Sequence, residues 1–360
     1  MTVREIAAML KVAPSTVSIV LNDKPGVRAE LRQKIRGILE ENGYTIKTAP
    51  ETAQEARNKI TQTTPATFVS ESNSKLNGQK TIMCIYYENT NYMSLRDDMV
   101  VSFMNEIQRR CQEMGMNFLY FVTNEHNIHH FFSRENLSHI DGIVLMGTEY
   151  FGTLDPAILN CSVPVTILDG YFPFDPVDTV NNDNTNYAYV LFDYILSMGH
   201  TSLGYIKSKP ELGSLGERSV CIRLAADANP VKLPEKYIVE VGDAAEDIID
   251  QVTVFLKRRG KDLPTLFICD NDYIAVAAMQ AIQRSGLRIP EDISIIGVDN
   301  SELSKIIFPR LTTFQSSFKE MARMATNRLI ERMAMPNLPA VKINVSLQLV
   351  EGSTVKDLSK

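Results

Sequence analysis

The first 43 residues carry three short runs in which apolar positions recur at helical spacing. Ile6, Met9 and Leu10 fall at i, i+3 and i+4; Val17, Val20 and Leu21 repeat that spacing; Leu31, Ile35, Ile38 and Leu39 extend it to i+8. Each run predicts a helix with one apolar stripe, and three such helices can close a small core. Pro14 suits the first turn of the second helix, Pro25-Gly26 breaks the chain before the third, and Asn42-Gly43 stops it. The turn between the first two spans only about Lys11 to Ala13, which is helix-turn-helix geometry.

From Thr45 to Gln79 the periodicity dissolves, with seven Thr and three Ser against five large apolar residues, Ile46, Ile60, Phe68, Val69 and Leu76. This reads as a linker, 45–79, in which Glu51 to Ile60 is the one stretch with helical character. As a flexible coil it would span roughly 30 to 35 Å end to end.

Beyond Lys80 strand and helix periods alternate. A strand over Thr81 to Tyr87 leads to a helical stripe (Phe103, Ile107, Cys111, Met114), then strands over Phe118 to Val122, Ile143 to Met146 and Val165 to Leu168. After Thr179 come a helix over Thr185 to Met198, strands over Leu203 to Ile206 and Tyr237 to Val241, and a helix over Ala245 to Arg259. A strand over Thr265 to Cys269, a helix over Tyr273 to Ser285 and a strand over Ile293 to Val298 follow. Such alternation predicts parallel sheets covered on both faces. About ten strands are many for one sheet, so two half-size sheets with a cleft between them are expected.

The 360 residues are 44% hydrophobic and 22% charged, which are globular proportions. The net charge of −6 conceals an asymmetry. Residues 1–50 hold eight Lys/Arg and five Asp/Glu, a net +3; the remaining 310 hold twenty-nine and thirty-eight, a net −9. A basic head on an acidic body would meet phosphate with one end only. Five cysteines without a C-x-x-C predict reduced thiols. No apolar run approaches a membrane span and the first residues are charged, so a cytoplasmic protein is expected.

Three blocks of residues resemble the LacI/GalR family of transcription regulators. Thr2-Val3-Arg4-Glu5-Ile6-Ala7, Val12, Thr16-Val17-Ser18 and Val20-Leu21-Asn22 match that family's DNA-binding head, and Asn42-Gly43-Tyr44 matches its end. Asp183-Asn184 and Met198-Gly199-His200 form the second block. The third and most specific is Asn271-Asp272, Gly286-Leu287, Pro290-Glu291-Asp292, Ile293 to Asp299 and Pro309-Arg310-Leu311-Thr312-Thr313. The resemblance covers all but the linker. It implies an all-α helix-turn-helix domain, 1–44, followed by an α/β two-lobed periplasmic-binding-protein-like domain with flavodoxin-like lobes, 80–360. Lobe 1 would take about 80–180 and 312–338, and lobe 2 about 181–311 and 339–360. The chain departs from the family at Lys11, Ala13 and Ile19, where Gly, Ser and Arg are usual. It has no clear counterpart of the short hinge helix after Tyr44, and Leu76 is the one apolar residue placed like the family's wedge leucine.

The family's function would be ligand-responsive repression by a homodimer on a pseudo-palindromic double-stranded DNA operator. In the head, Thr2, Val3, Arg4, Pro14, Ser15, Thr16, Ser18, Ile19, Asn22, Val27 and Arg28 are expected to meet DNA. The hydroxyls and Asn22 suit phosphates and base edges, while Pro14 and Ile19 suit thymine methyls. In the body, Asp169, Asn271 and Asp299 follow strand ends, where open α/β sheets bind ligands. The resemblance adds Arg218 as an effector-binding arginine and Phe318 as an effector-packing aromatic; Glu88 and Asn89 end the first strand on the other lobe. Arginine and carboxylates around an aromatic suit a polyhydroxylated small-molecule effector such as a sugar. Asp183 and Asp272 are expected to cap helices instead.

His126, His129 and His130 share a helical spacing but read as a solvated loop, and no metal or other cofactor is expected. Met321, Met324, Met333 and Met335 read as core and interface filler. No nucleophile elbow, Walker loop, dinucleotide fingerprint or zinc-protease motif occurs, so no enzyme is expected, although Asp169 and Asp299 resemble a glycosidase pair on paper. The alternative function is a cytoplasmic sugar-binding protein whose head lacks specific DNA recognition.

Overall fold

The computed structural model describes residues 6, 7, 9, 10, 12, 16, 17, 20, 29–41, 78–89, 97–150, 152–209 and 213–360. The chain forms two compact units, Met1–Phe68 and Val69–Lys360. Linker residues 45–77, with Glu51 to Ile60 and Leu76 among them, lie outside the described residues.

The first unit closes on the core that the periodicity predicts. Ile6, Ala7, Val17, Val20, Ile35 and Leu39 are buried together, with Leu10, Val12, Leu31 and Ile38 packed against them. The third run is the helix Ala29–Glu41. Met9 is a correction: it is half exposed, because Ala7 takes the inward position and turns the stripe of the first helix by roughly 50°. A core of this size has little margin. Ile35→Ala is expected to destabilise the head by about 2 to 5 kcal/mol. Circular dichroism should show an early unfolding step, with the transition of the second unit unmoved; a single unchanged transition would contradict this.

The second unit contains two parallel sheets. The first has the order β11-β5-β4-β3-β1-β2, with β1 Thr81–Tyr87, β2 Asn117–Thr123, β3 Gly142–Met146, β4 Val165–Leu168, β5 Asp178–Asn182 and β11 Lys342–Val345. Strand β1 shows why both faces are covered. Ile82, Cys84 and Tyr86 pack toward helices Asp97–Glu113 and Phe318–Ala334, whereas Met83, Ile85 and Tyr87 join Ile128, Phe131 and Ile158 on the other face. The second sheet has the order β7-β6-β8-β9, with β6 Leu203–Ser208, β7 Ile238–Val241, β8 Leu266–Cys269 and β9 Ser294–Ile296. Helices Ala245–Arg259 and Asp272–Arg284 cover one face of it, and helices Asn184–Ser197 and Gly213–Ala228 the other. A ribbon of β10, Thr313–Gln315, and β12, Gln348–Val350, bridges to this second sheet through Thr312 and Gln315.

The chain therefore passes between the lobes three times: after β5, after β10 and after β11. Two expected boundaries move. Thr313–Gln315 lies with lobe 2 rather than lobe 1, and Lys342–Val345 lies in the lobe 1 sheet rather than lobe 2. The physical reason is the free edge of β5. Thr179 N and Asp183 N donate to Val341 O and Val345 O at 3.1 and 2.9 Å, so the late strand satisfies main-chain donors that no earlier segment reaches. Cys84, Cys111 and Cys269 are buried, Cys161 and Cys221 half-buried, and all five are free thiols. Burial pushes the Cys111 thiol up to about 11, which makes it a poor nucleophile. No helix among the described residues is long and apolar enough to cross a membrane.

Candidate functional site

Parallel strands end on a common rim, and both lobes place polar groups there. On lobe 1, β3 is followed by Thr148 and Glu149, β4 by Asp169, and β1 by Glu88 and Asn89. Glu149 is buried and accepts from Tyr86 Oη and Asn89 N, both at 2.8 Å. Asp169 is buried and accepts from Thr148 Oγ1 at 2.8 Å. Half-buried Glu88 donates its N–H to Thr123 O at 2.8 Å, which ties it to the β1–β2 edge.

On lobe 2 the central group is Arg218, on the helix Gly213–Ala228 and only 3% exposed. Its Nε donates to Asn184 Oδ1 at 3.1 Å, its Nη1 donates to the main-chain oxygen of Asp270, and its guanidinium lies 5.6 Å from the centre of the Tyr187 ring. Burial opposes its charge, but Asp299, Tyr187, Asp270 and Tyr205 together outweigh burial and raise its pKa. Asp270 is held by Tyr205 Oη and by Ser208 N, the latter at 2.7 Å, and burial raises its carboxyl above the usual range. Asp299 accepts from Ser316 Oγ at 3.0 Å.

Backbone strain marks the same places. The non-glycine residues with positive φ among those described are Asp169 at 56°, Asp299 at 115° and Asn300 at 52°. Asp169 N and Asp299 N donate to Val180 O at 2.9 Å and Phe314 O at 2.7 Å, so neighbouring strands hold each turn. Such conformations persist where the surroundings over-determine them, and they concentrate at binding sites.

The lobes meet beside this cluster. A methyl group on Gly213 would lie 3.3 Å from Tyr171 Cβ and 3.6 Å from Tyr150 O, which places the start of the Arg218 helix against lobe 1. Glu217, next to Arg218, accepts from Asn184 Nδ2 at 2.7 Å. Burial raises its carboxyl against the lowering by the Asn184 hydrogen bond and the Arg218 charge, and Asp183 and, across the cleft, Asp169 add smaller repulsions. The structure thus brings together Asp169, Arg218 and Asp299 with Glu217 and Asp270.

The other expected site residues are engaged differently. Asn271 caps the helix Asp272–Arg284, its Oδ1 accepting from Ile274 N at 2.9 Å, which leaves its two amide N–H groups for a ligand. Asp272 was expected as the cap, and the structure corrects this by one residue. Its carboxylate accepts from Thr313 Oγ1 at 2.5 Å and Ser301 N at 2.7 Å, tying β10 to the turn after β9. Asp183 does cap its helix, accepting from Asn186 N at 2.9 Å. Phe318 packs edge-on against Phe103, 5.5 Å between ring centres, in the lobe 1 core. In the head, Thr16 is helical and half-buried. Thr2, Val3, Arg4, Pro14, Ser15, Ser18, Ile19, Asn22, Val27 and Arg28 lie outside the described residues. His129 and His130 stack 4.1 Å apart on the short helix Ile128–Phe131, not in a loop as expected, and no group of three or more metal-ligating side chains occurs among the described residues.

Burial and the nearby Asp299 push the Asp272 carboxyl up to about 7, against the hydrogen bonds from Thr313 and Ser301. In the unfolded chain the same group loses its proton near pH 4. Between those values the folded form binds more protons, so this residue's contribution to stability falls as pH rises from about 4 to about 7 and is level above. Urea denaturation of Asp272→Asn beside the parent protein should show that decline in the parent only; parallel profiles would contradict it.

Glu149 and Asp270 were not singled out by sequence, although each lies within three residues of a strand end, as Asp169 does. Tyr187, Tyr205 and Glu217 carry no comparable signal.

Comparison with known proteins places these features in a family context. Residues 2–46 match the family model described as bacterial regulatory proteins, lacI family, and residues 192–355 match that of a periplasmic binding protein-like domain. The ribose operon repressor of Haemophilus influenzae is similar at 26% identity over 340 residues, 93% of each chain. The transcriptional repressor PurR of Aliivibrio fischeri is 27% identical over 342 residues, 92% of this chain and 91% of that one. Among solved structures, the regulator CelR in complex with cellobiose aligns with a TM-score of 0.67 at 18% identity, covering 98% of this chain and 99% of that one. The Lac repressor dimer bound to operator and the anti-inducer ONPF also gives 0.67, at 19% identity and 99% of both chains.

Proposed function

We propose a mechanism for this chain, which belongs to the lacI family of bacterial regulatory proteins. It is a DNA-binding transcriptional repressor whose hold on DNA responds to a small molecule. The observation that carries the mechanism is the cluster of Arg218, Asp270 and Asp299 on lobe 2 facing Asp169 on lobe 1. A buried guanidinium with carboxylates on both sides suits the paired hydroxyls of a sugar, each of which can donate to a carboxylate and accept from arginine. The relatives named for ribose and cellobiose support that class.

The effector enters between the lobes and bridges them. Because three segments connect the lobes, the lobes change angle as bodies, and an effector that binds one angle better shifts the population toward it. The head, with Thr2 to Arg4 and Pro14 to Asn22 against DNA, acts in a homodimer on a two-fold operator. The protein works in the cytoplasm, and Asp169 and Asp299 serve as ligand-holding groups, not as a catalytic pair.

The test is fluorescence anisotropy of the full chain on operator-like DNA, titrated with and without candidate sugars at two salt concentrations. Specific binding that survives non-specific competitor and shifts with a sugar is the expected result. Binding that vanishes with competitor, alongside intact sugar binding, would make the chain a sugar-binding protein without operator recognition.

A further inference from the structure

The cleft is built with more negative charge than its cations neutralise. On lobe 2, Glu217, Asp270 and Asp299 surround Arg218, and lobe 1 adds Asp169 and Glu149 at its own strand ends. Arg218 is engaged by Asn184 and by the main chain of Asp270, and Lys207, the other nearby cation, lies 3.5 Å from Glu240. Glu217 lies one helical turn after Gly213, which rests against Tyr171, two residues past Asp169, so the charge of Asp169 reaches Glu217 from the opposite lobe. Asp169, 3% exposed, accepts only through Oδ2, and Glu217 only through Oε2, so Asp169 Oδ1 and Glu217 Oε1 accept no hydrogen bond from the described residues. A third polar group in the cleft has an unmet valence: the Tyr187 hydroxyl, fully buried near Arg218 and Asp299, has no partner among the described residues.

Glu217 is half-buried, and Asp169 Oδ1 and Glu217 Oε1 are both open to a ligand, so closing the lobes on two like charges with nothing between them opposes that closure. Gly213 already rests against Tyr171, so the lobes are close enough for one small group to touch both. An ammonium group has three donors and one positive charge, which is what two facing carboxylates lack.

We propose that the effector is a sugar carrying a protonated amine, and that the amine sits between Asp169 and Glu217 and draws the two lobes together. This rests on reading the cleft as a sugar site and names the charge class of the sugar. Phosphorylated sugars and sugar acids are disfavoured at the same point, since each adds negative charge to an acidic cleft.

The test is calorimetry on the full chain with matched sets of probes on glucose, galactose and mannose frames: the neutral sugar, the 2-amino sugar, its N-acetyl form, the 6-phosphate and the uronate. The expected result is that, within the frame that binds, the amino sugar is at least tenfold tighter than the neutral sugar. The N-acetyl form should lose that advantage, which separates charge from size. A phosphate or uronate that binds as tightly as the amino sugar, or an amino sugar no tighter than its neutral parent, overturns the inference and leaves the sugar reading standing. Failure of every probe on every frame removes the sugar reading and this inference with it. As a second measurement, Glu217→Gln should lower the amino-to-neutral affinity ratio about tenfold; an unchanged ratio would show that the amine does not lie at Glu217.

Discussion

Arg218→Ala is expected to weaken effector binding at least a hundredfold, leaving a repressor that stays on its operator whatever the effector concentration. The guanidinium lies at the centre of the cleft, and its position is fixed on three sides by Asn184, the Asp270 main chain and the Tyr187 ring. A sugar hydroxyl bound there meets a charged donor already oriented and already desolvated, which is where hydrogen bonds are strongest. Losing it removes about 3 kcal/mol, and the carboxylates of Asp270 and Asp299 lose their nearest positive charge at the same time. Arg218→Lys should recover little, since an ammonium on a flexible stem cannot span the same two acceptors in one plane. Calorimetry on both variants provides the measurement, with melting temperature as a check on folding. Wild-type effector affinity in Arg218→Ala would remove Arg218 from the site.

The second large effect is on stability. Asp178, 2% exposed at the start of β5, accepts from Arg328 Nε at 3.0 Å and from Val341 N at 2.8 Å, with Arg332 Nε at 3.5 Å. One carboxylate therefore ties the helix Phe318–Ala334 and the edge strand β11 to β5 of the lobe 1 sheet. Asp178→Ala leaves Arg328 buried with part of its partnership gone and Val341 N without an acceptor. It should destabilise the second unit by about 3 to 5 kcal/mol. Asp178→Asn keeps one acceptor and should be milder. The double change Asp178→Leu, Arg328→Met should recover part of the loss, because a buried pair removed together leaves no stranded charge. Urea denaturation of the three variants decides it: a loss under about 1 kcal/mol in Asp178→Ala would mean that this ion pair is not what anchors the edge.

How much of this was legible in the sequence depends on whether an element's burial follows its apolar pattern. β1 was read to the residue because all seven of its positions are apolar or Thr and all are buried. β5 was not read, since Asp-Thr-Val-Asn-Asn shows no apolar run, yet all five residues are buried through ion pairing and main-chain bonds. The helix Gly213–Ala228 escaped for the opposite reason. It exposes Val220 and Leu224 while burying Ser214 and Arg218 beside Leu215, Ile222 and Ala226, so its apolar residues are split between two faces and no clean stripe points inward. Function explains the buried polar residues, because that part of the inward face serves the cleft. At the site, Asp169 and Asp299 were legible from the strand-end rule, whereas Arg218 was visible only by resemblance. The exchange of roles between Asn271 and Asp272 turns on one residue of helix register, a detail that composition does not encode.

The three passages between the lobes also set an order of assembly during synthesis. A nascent chain that has reached Asn300 carries five strands of the first sheet but lacks the helix Phe318–Ala334 and the edge strand that close it. Asp178 is then without Arg328, and the apolar face made by Ile82, Cys84 and Val144 has only one of its two covering helices. The head can fold as soon as it leaves the ribosome, tens of residues before the first strand does. The effector domain must wait for its last sixty residues, so ribosome-bound repressor passes through a stage with a finished reading head and no means of being regulated.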